Sequence, residues 1–345
     1  LKLISHFADM SSDLNLSIGE ALDSCPQQVP PEVDACLQSL GFPAIAGSKR
    51  IKVSFHCTYF VDFSGALPDG VAGTQPKAVV QLLGSQLGDK ALFHLGKPIC
   101  AASIMKASEL CVKAGIRAPA IYATGLVEKW GQLDRLPFVV YEFIATETIE
   151  DERRAPTSDF MRVVDGIRCA FEAMPLADVD TDPLIRFDTV FDQVEYLKVV
   201  ANAAEATELV KGLDKVAEEL RRQDIEPLGP VLIHQDLNHG NVLCSPSAAG
   251  PWELDALIDW EGAAVADPRV AYSGSEPWST LRRLALMVKL RWLAGLVGRG
   301  EAPPRCEAAE LQEDYEEIGQ ELVKGGWIDT VVPLPQMGTP GGDSD

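Results

Sequence analysis

Leu232-Ile-His-Gln-Asp-Leu-Asn-His-Gly-Asn-Val-Leu243, followed by Leu257-Ile-Asp-Trp-Glu261, is the stretch whose reading decides the fold. A γ-phosphoryl transfer needs a carboxylate to receive the acceptor hydroxyl's proton and oxygen ligands to hold Mg²⁺ against the phosphates. Asp236, Asn241 and Asp259 supply that set. Each adjoins an apolar run, Val231-Leu-Ile233, Val242-Leu243 or Leu254 to Ile258, so each polar group is expected where a short strand emerges into a cleft. Singly, these residues read as well as a buried His satisfied by backbone, a helix-capping Asp or a turn Asn. Together, at this spacing, they read as a phosphoryl-transfer site.

The two blocks resemble the catalytic and metal-binding loops of the aminoglycoside phosphotransferase family, the small-molecule branch of the protein-kinase-like fold. The resemblance implies an α+β, two-lobe architecture: a small N-lobe with an antiparallel sheet and a helix C, and a larger, mostly helical C-lobe. It implies that His234 is the orienting histidine of H-x-D-x-x-x-x-N, Asp236 the catalytic base and Asn241 a metal ligand. Asp259 becomes the metal-binding aspartate that opens D-F-G in protein kinases, and Trp260 the packing residue after it. His234 is then expected to be buried and bonded to backbone near Asp259. Glu261 is a candidate substrate or metal contact, and Asp267 before Pro268 a turn residue. ATP is the implied co-substrate and Mg²⁺ the implied metal.

The N-lobe departs from that pattern. In the family a strand lysine grips the phosphates while pairing with a helix-C glutamate. In Lys77-Ala-Val-Val-Gln-Leu-Leu83 the matching position holds Gln81, and counting back from Gly115 puts the partner at Ser103 to Met105, none of them acidic. Glu109 falls more than a turn too late. In carrying Gln the chain resembles some fungal-type members. Losing both charges together avoids stranding one buried ion. Between the first two strands, Val53-Ser-Phe-His-Cys-Thr58 has no glycine to let backbone N–H groups approach a phosphate. Ser54 and Thr58 are the candidate phosphate contacts; His56 could face a ligand, and His239 carries the same ambiguity, though a lone His in such a turn is more often structural. The inter-lobe hinge is expected near Glu142 to Thr146, so Glu142, Phe143 and Ile144 are candidate nucleotide contacts through their backbone.

Outward from the motif, the chain divides into a helical lead-in over 1–49, an N-lobe over 50–145, a C-lobe over 146–330 and a disordered tail over 331–345. The lead-in is read as helix over Ser11 to Leu40 with a break at Pro26, Pro30 and Pro31. Strands are expected within Ile51 to Phe63, Lys77 to Leu83, Ala118 to Gly125 and Pro137 to Ile144, and a helix from Ile99 to Lys113. Apolar residues at helical spacing mark Phe160 to Met174, Phe187 to Leu220, Leu281 to Val297 and Ala308 to Val323 as C-lobe helices.

At 345 residues and 46% hydrophobic, the chain can bury the core of two lobes. Eight scattered cysteines without a C-x-x-C pair argue against zinc and for a reducing compartment. No apolar run is long enough to span a bilayer. The sequence begins Leu1-Lys-Leu-Ile-Ser-His6, without an initiator Met or a basic segment joined to an apolar run, so no secretory signal is expected and the location is read as cytoplasmic. The net charge of −21, of which residues 301–345 contribute −9, disfavours a nucleic-acid partner. It is compatible with a cationic small-molecule substrate, and more often it marks only a solvated surface. Two readings stand: an ATP-dependent small-molecule O-phosphotransferase, or a kinase-like binding protein in which Gln81 has weakened nucleotide use. Protein kinase activity is disfavoured by the lack of a D-F-G…A-P-E segment.

Overall fold

The computed structural model describes residues 26–53, 56–73, 75–83, 101–130, 133–145, 157–224, 228–238, 240–247, 250–298 and 308–335. Strands β1 (Ile45–Val53), β2 (His56–Phe63), β3 (Lys77–Leu83), β4 (Ile121–Trp130) and β5 (Leu133–Glu142) form a sheet in the order β1-β2-β3-β5-β4, with every neighbouring pair antiparallel. Alternation decides its two faces. Ala78, Val80 and Leu82 of β3 join Cys57, Tyr59, Val61, Phe138 and Val140 in a core closed by Val33 and Leu37 of helix α1 (Pro31–Ser39). Pro31 opens α1, where its missing N–H breaks no helical bond. On the other face Leu83 and Val139 enter a second core, shared with helix α2 (Ala101–Lys113) and the C-lobe strands.

Helix α2 buries Ile104, Ala107, Leu110 and Cys111 along one face. It stops in a Schellman arrangement. Gly115 sits at φ 80°, its N–H donates to Val112, and the Ile116 N–H reaches back to Cys111 at 3.1 Å. This helix leans on the 3₁₀ turn Trp260–Gly262, so it touches the C-lobe directly.

The C-lobe opens with α3 (Thr157–Glu172). Strand β6 (Ile185–Arg186) runs parallel to β10 (Ala264–Ala266), which pairs antiparallel with β7 (Val231–Ile233). Beside them β8 (Val242–Pro246) and β9 (Trp252–Leu257) form a two-stranded sheet. Helices α4 (Val190–Ala203), α5 (Thr207–Arg222), α6 (Pro268–Tyr272), α7 (Trp278–Gly298) and α8 (Ala308–Lys324) build a third core around Leu197, Leu213, Leu284 and Tyr315.

Several expectations need correction. Strand β1 starts at Ile45, so the 49/50 boundary cuts a strand; Gly47, Ser48 and Lys49 hide it by interrupting the apolar alternation. Of the expected Ser11–Leu40 helix only α1 is present among the described residues, and 11–25 lie outside them. The run Phe187–Leu220 is two helices. Thr189 starts α4 with a capping box to Asp192, and Glu205, at φ 53°, lies in the turn that separates it from α5. Phe187 precedes the helix and donates its N–H to Val265 at 2.8 Å. The first residues of the expected disordered tail are packed: Leu334 is buried in the third core, while 336–345 lie outside the described residues. Of the cysteines, Cys57, Cys111 and Cys244 are buried and Cys169 is exposed. No helix among the described residues is long and apolar enough to cross a membrane.

Candidate active site

The segment 234–241 links β7 to β8, and 258–263 links β9 to β10. Because β7 pairs with β10 and β8 with β9, both links leave the small sheets at one end. The Ile258 N–H donates to the Asn241 carbonyl at 2.9 Å, carrying the β8–β9 ladder one step into the loops. The chain is strained here: Gln235 at φ 67° and Asp259 at φ 66° occupy the left-handed region without being glycine, a cost of order 1 kcal/mol or more each that clusters at functional sites.

Asp236 is exposed at the loop's centre, and its carboxylate is held at both oxygens. Asn238 Nδ2 donates to Oδ1 at 2.8 Å and Asn241 Nδ2 donates to Oδ2 at 2.9 Å. A second hydrogen of the Asn241 amide goes to the Asp236 carbonyl at 3.0 Å. Two acceptors around one nitrogen fix the amide's orientation. Asn238 does double duty, its Oδ1 accepting the Gly240 and Asn241 N–H groups at 2.6 and 3.2 Å. Sequence reading missed Asn238; the signal was an Asn two residues after the aspartate, where an Asx turn forms.

His234 is fully buried, and its Nε2–H donates to the Ile258 carbonyl at 2.7 Å, tying the first loop to the residue before Asp259. Its ring meets Trp260 edge-on at 4.8 Å, and Trp260 donates Nε1–H to the Leu257 carbonyl at 3.1 Å. Burial pushes the His234 pKa down, so the imidazole is kept neutral. Asp267 caps α6 through the Arg269 N–H and pairs with the Arg269 guanidinium at 2.6 Å.

The donor set fits Mg²⁺. With both amide hydrogens of Asn241 committed to Asp236, its Oδ1 is the atom it would offer a cation, and Asp259 would add a carboxylate oxygen. Mg²⁺ prefers such hard oxygens, takes one or two from protein and completes its shell with water and substrate phosphate. Among the described residues no three His, Cys, Asp or Glu side chains gather into a self-sufficient cage.

Across the cleft, Gln81 and Tyr141 lie on the sheet face that looks toward these loops. The Tyr141 hydroxyl donates to Gln81 Oε1 at 3.1 Å. Burial, then the Asp259 and Glu261 carboxylates, raise the phenol's pKa well above its ordinary value, which ties the two sides of the site together electrostatically. Thr58 pairs with Gln81 in register and is half-buried. The Glu142 carboxylate turns away from the cleft: it binds the Arg117 guanidinium at 2.8 Å and the Ala120 N–H at 3.2 Å. Phe143 packs edge-on to Phe60 at 5.4 Å, with the Lys77 ammonium 5.5 Å from its ring, and Ile144 is half-buried. Ser54, His239 and Thr146 lie outside the described residues. Glu109 pairs with Lys106 and Lys113 on the surface of α2.

Fold and site together define a two-lobe, kinase-like protein. Residues 104–270, a span that runs from α2 through both loops, match the model of the phosphotransferase enzyme family. No curated protein matches the chain in sequence. Among solved structures, a thermostable mutant of aminoglycoside phosphotransferase APH(4)-Ia in its apo form is similar at 15% identity and TM-score 0.52, covering 84% of this chain and 97% of that one. A ternary complex of a thermostable mutant of the same enzyme with AMP-PNP and hygromycin B aligns at 14% identity and TM-score 0.50, over 86% and 99%. A microcompartment-associated aminopropanol kinase aligns at 13% identity and TM-score 0.49, over 86% and 98%.

Proposed function

We propose that the chain is a cytoplasmic, ATP-dependent O-phosphotransferase acting on a hydroxylated small molecule. The observation that carries this reading is the Asp236 carboxylate, exposed yet held by Asn238 and Asn241 beside a strained Asp259. An aspartate with only a structural role would be expected to bury its charge against a permanent cation. This one is oriented by neutral amides and left open on the side a substrate would take. In the proposed reaction Asp236 aligns the acceptor hydroxyl in line with the γ-phosphate and accepts its proton as the O–P bond forms. Asn241 and Asp259 would hold Mg²⁺, which supplies charge neutralisation on the phosphates. His234 keeps the two loops in register without titrating into the chemistry. Catalysis is then mostly positioning and electrostatic preorganisation. The APH(4)-Ia ternary complex named above holds AMP-PNP and hygromycin B, and an acidic chain is compatible with a cationic acceptor.

A second reading, a nucleotide-poor binding protein, is favoured by one observation: Gln81 stands where a phosphate-gripping lysine would be. Thermal unfolding with and without Mg-ATP separates the two, because a ligand at about 100 times its Kd adds about 2.7 kcal/mol. The phosphotransferase reading expects a metal-dependent rise in Tm that Asp259→Ala loses. It also expects Asp236→Ala to keep the shift while losing phosphoryl transfer. No shift at millimolar nucleotide would favour the binding protein.

A further inference from the structure

Gln81 is a donor whose orientation matters, since a carboxamide presents an oxygen at one end and two hydrogens at the other. Toward an anion, only the nitrogen end is useful. On the antiparallel β3–β5 pair Gln81 stands opposite Val139, and Tyr141 lies two residues along β5 on the same face. That diagonal distance is within reach of long side chains, and the Tyr141 hydroxyl closes it at 3.1 Å on Gln81 Oε1. An amide oxygen can only accept, so the hydroxyl is the donor. A donor at Oε1 pins the amide with Nε2 free for another acceptor.

We infer that Tyr141 is a positioning residue that aims the Gln81 amide N–H₂ at the phosphates of the bound nucleotide, so that a neutral, hydrogen-bonded Tyr–Gln pair within one sheet does the work of a lysine–glutamate ion pair. The inference rests on the phosphotransferase reading and deepens it. It also accounts for the absence of an acid at Ser103 to Met105 of α2: Gln81 takes its orientation from β5, its neighbour in the sheet, and not from the helix. Glu109, the nearest acid on α2, is engaged with Lys106 and Lys113. A neutral pair avoids the desolvation that two facing ions would demand, at the expense of weaker attraction for phosphate.

The test is a binding comparison of Mg-ADP and adenosine, by calorimetry, in the parent, Tyr141→Phe, Gln81→Ala and the double variant. Loss of one hydrogen bond corresponds to about threefold to tenfold in affinity. Tyr141→Phe is expected to weaken Mg-ADP by that factor and to leave adenosine unchanged. The double variant is expected to bind Mg-ADP no worse than Gln81→Ala, because the tyrosine acts only through the glutamine. Gln81→Glu, which keeps the phenol's acceptor but turns a carboxylate to the phosphates, should weaken Mg-ADP further than Gln81→Ala. Equal loss for adenosine and Mg-ADP in Tyr141→Phe would reduce the tyrosine to packing and overturn the inference. So would additive effects in the double variant, or full Mg-ADP affinity in Tyr141→Phe. If the parent binds neither Mg-ADP nor Mg-ATP, the phosphotransferase reading falls first and the inference with it; if the parent binds and Tyr141→Phe is indifferent, only the inference falls.

Discussion

The Asp236 carboxylate receives one amide N–H on each oxygen, and the two amides are not equivalent. Asn241 is also a proposed metal ligand, whereas Asn238 bonds only within the loop. Asn238→Ala should therefore leave Mg-ATP binding near the parent's while kcat falls about tenfold to a hundredfold, as Asp236 loses its fixed orientation. Steady-state kinetics read this directly, and a change confined to KM would refute it. His234 permits a different test. Its folded pKa lies below the ordinary 6.5, so between those values the unfolded chain binds the extra proton. Its contribution to stability is present above about pH 6.5 and is lost as pH falls through the folded value, at up to about 1.4 kcal/mol per pH unit. Urea unfolding from pH 7 to pH 5 should show a steeper loss in the parent than in His234→Gln, which can still donate to the Ile258 carbonyl; equal slopes would refute the assignment. At this scale the spacing of the carboxylates and the Asn singled out a candidate site in the sequence, and the structure brings Asp236 and Asn241 into direct contact. Asn238 and Tyr141 escaped notice because their importance lies in what they hold, and a hydrogen-bond partner sixty residues away leaves no mark on local spacing.

Elements were legible where one rule acted alone. Strand β3 follows its alternation from Lys77 to Leu83, and α2 ends at the glycine that can adopt φ 80°. They were illegible where two rules competed. Helical periodicity runs through the α4–α5 turn, since both helices face one core, and only the strained Glu205 marks the break. Pro137 lies inside β5, against the usual exclusion of proline from central strands. The β3–β5 register covers 138–142 only, so Pro137 meets β4 on one side and owes β3 no hydrogen bond. The β4–β5 pair also depends on Gly125, which stands opposite Phe138. A Cβ there would come within 2.5 Å of the Phe138 ring, which is 1% exposed and has nowhere to move. Gly125→Ala should lower stability by about 1–3 kcal/mol through overpacking. Denaturant unfolding would report it, and a variant as stable as the parent would mean that the ring can turn aside.

On the scale of the whole molecule the lobes share a core, because α2 buries its apolar face against Trp260 and the C-lobe strands as well as Leu83 and Val139. The connector after α2 reinforces this: the Arg117 carbonyl accepts the Leu257 N–H at 2.9 Å while its guanidinium holds Glu142. That two-lobe plan followed from the motif. The role of the chain's last described segment did not, because Pro333 and Pro335 amid glycines resemble a solvated tail in composition. What secures that segment is Arg291 of α7, only 7% exposed and surrounded by carbonyls. Its Nε donates to Ala204 at 2.9 Å, Nη1 to Pro333 at 2.9 Å and Nη2 to Glu205 at 3.4 Å, so one guanidinium joins the α4–α5 turn, α7 and the segment after α8. The segment answers with apolar packing: Val331 closes on Gly319 of α8, where a Cβ would lie 2.7 Å away, and Leu334 is buried. Arg291→Met keeps the stem's volume and removes the donors. With three part-buried carbonyls deprived of a charged donor, the loss should be about 3 kcal/mol. Limited proteolysis should then cut near 331–335 before the rest of the chain, because the apolar contacts alone hold the segment. A loss below about 0.5 kcal/mol with no change in cleavage would show that Leu334 and Val331 suffice, and that the three hydrogen bonds only follow the packing.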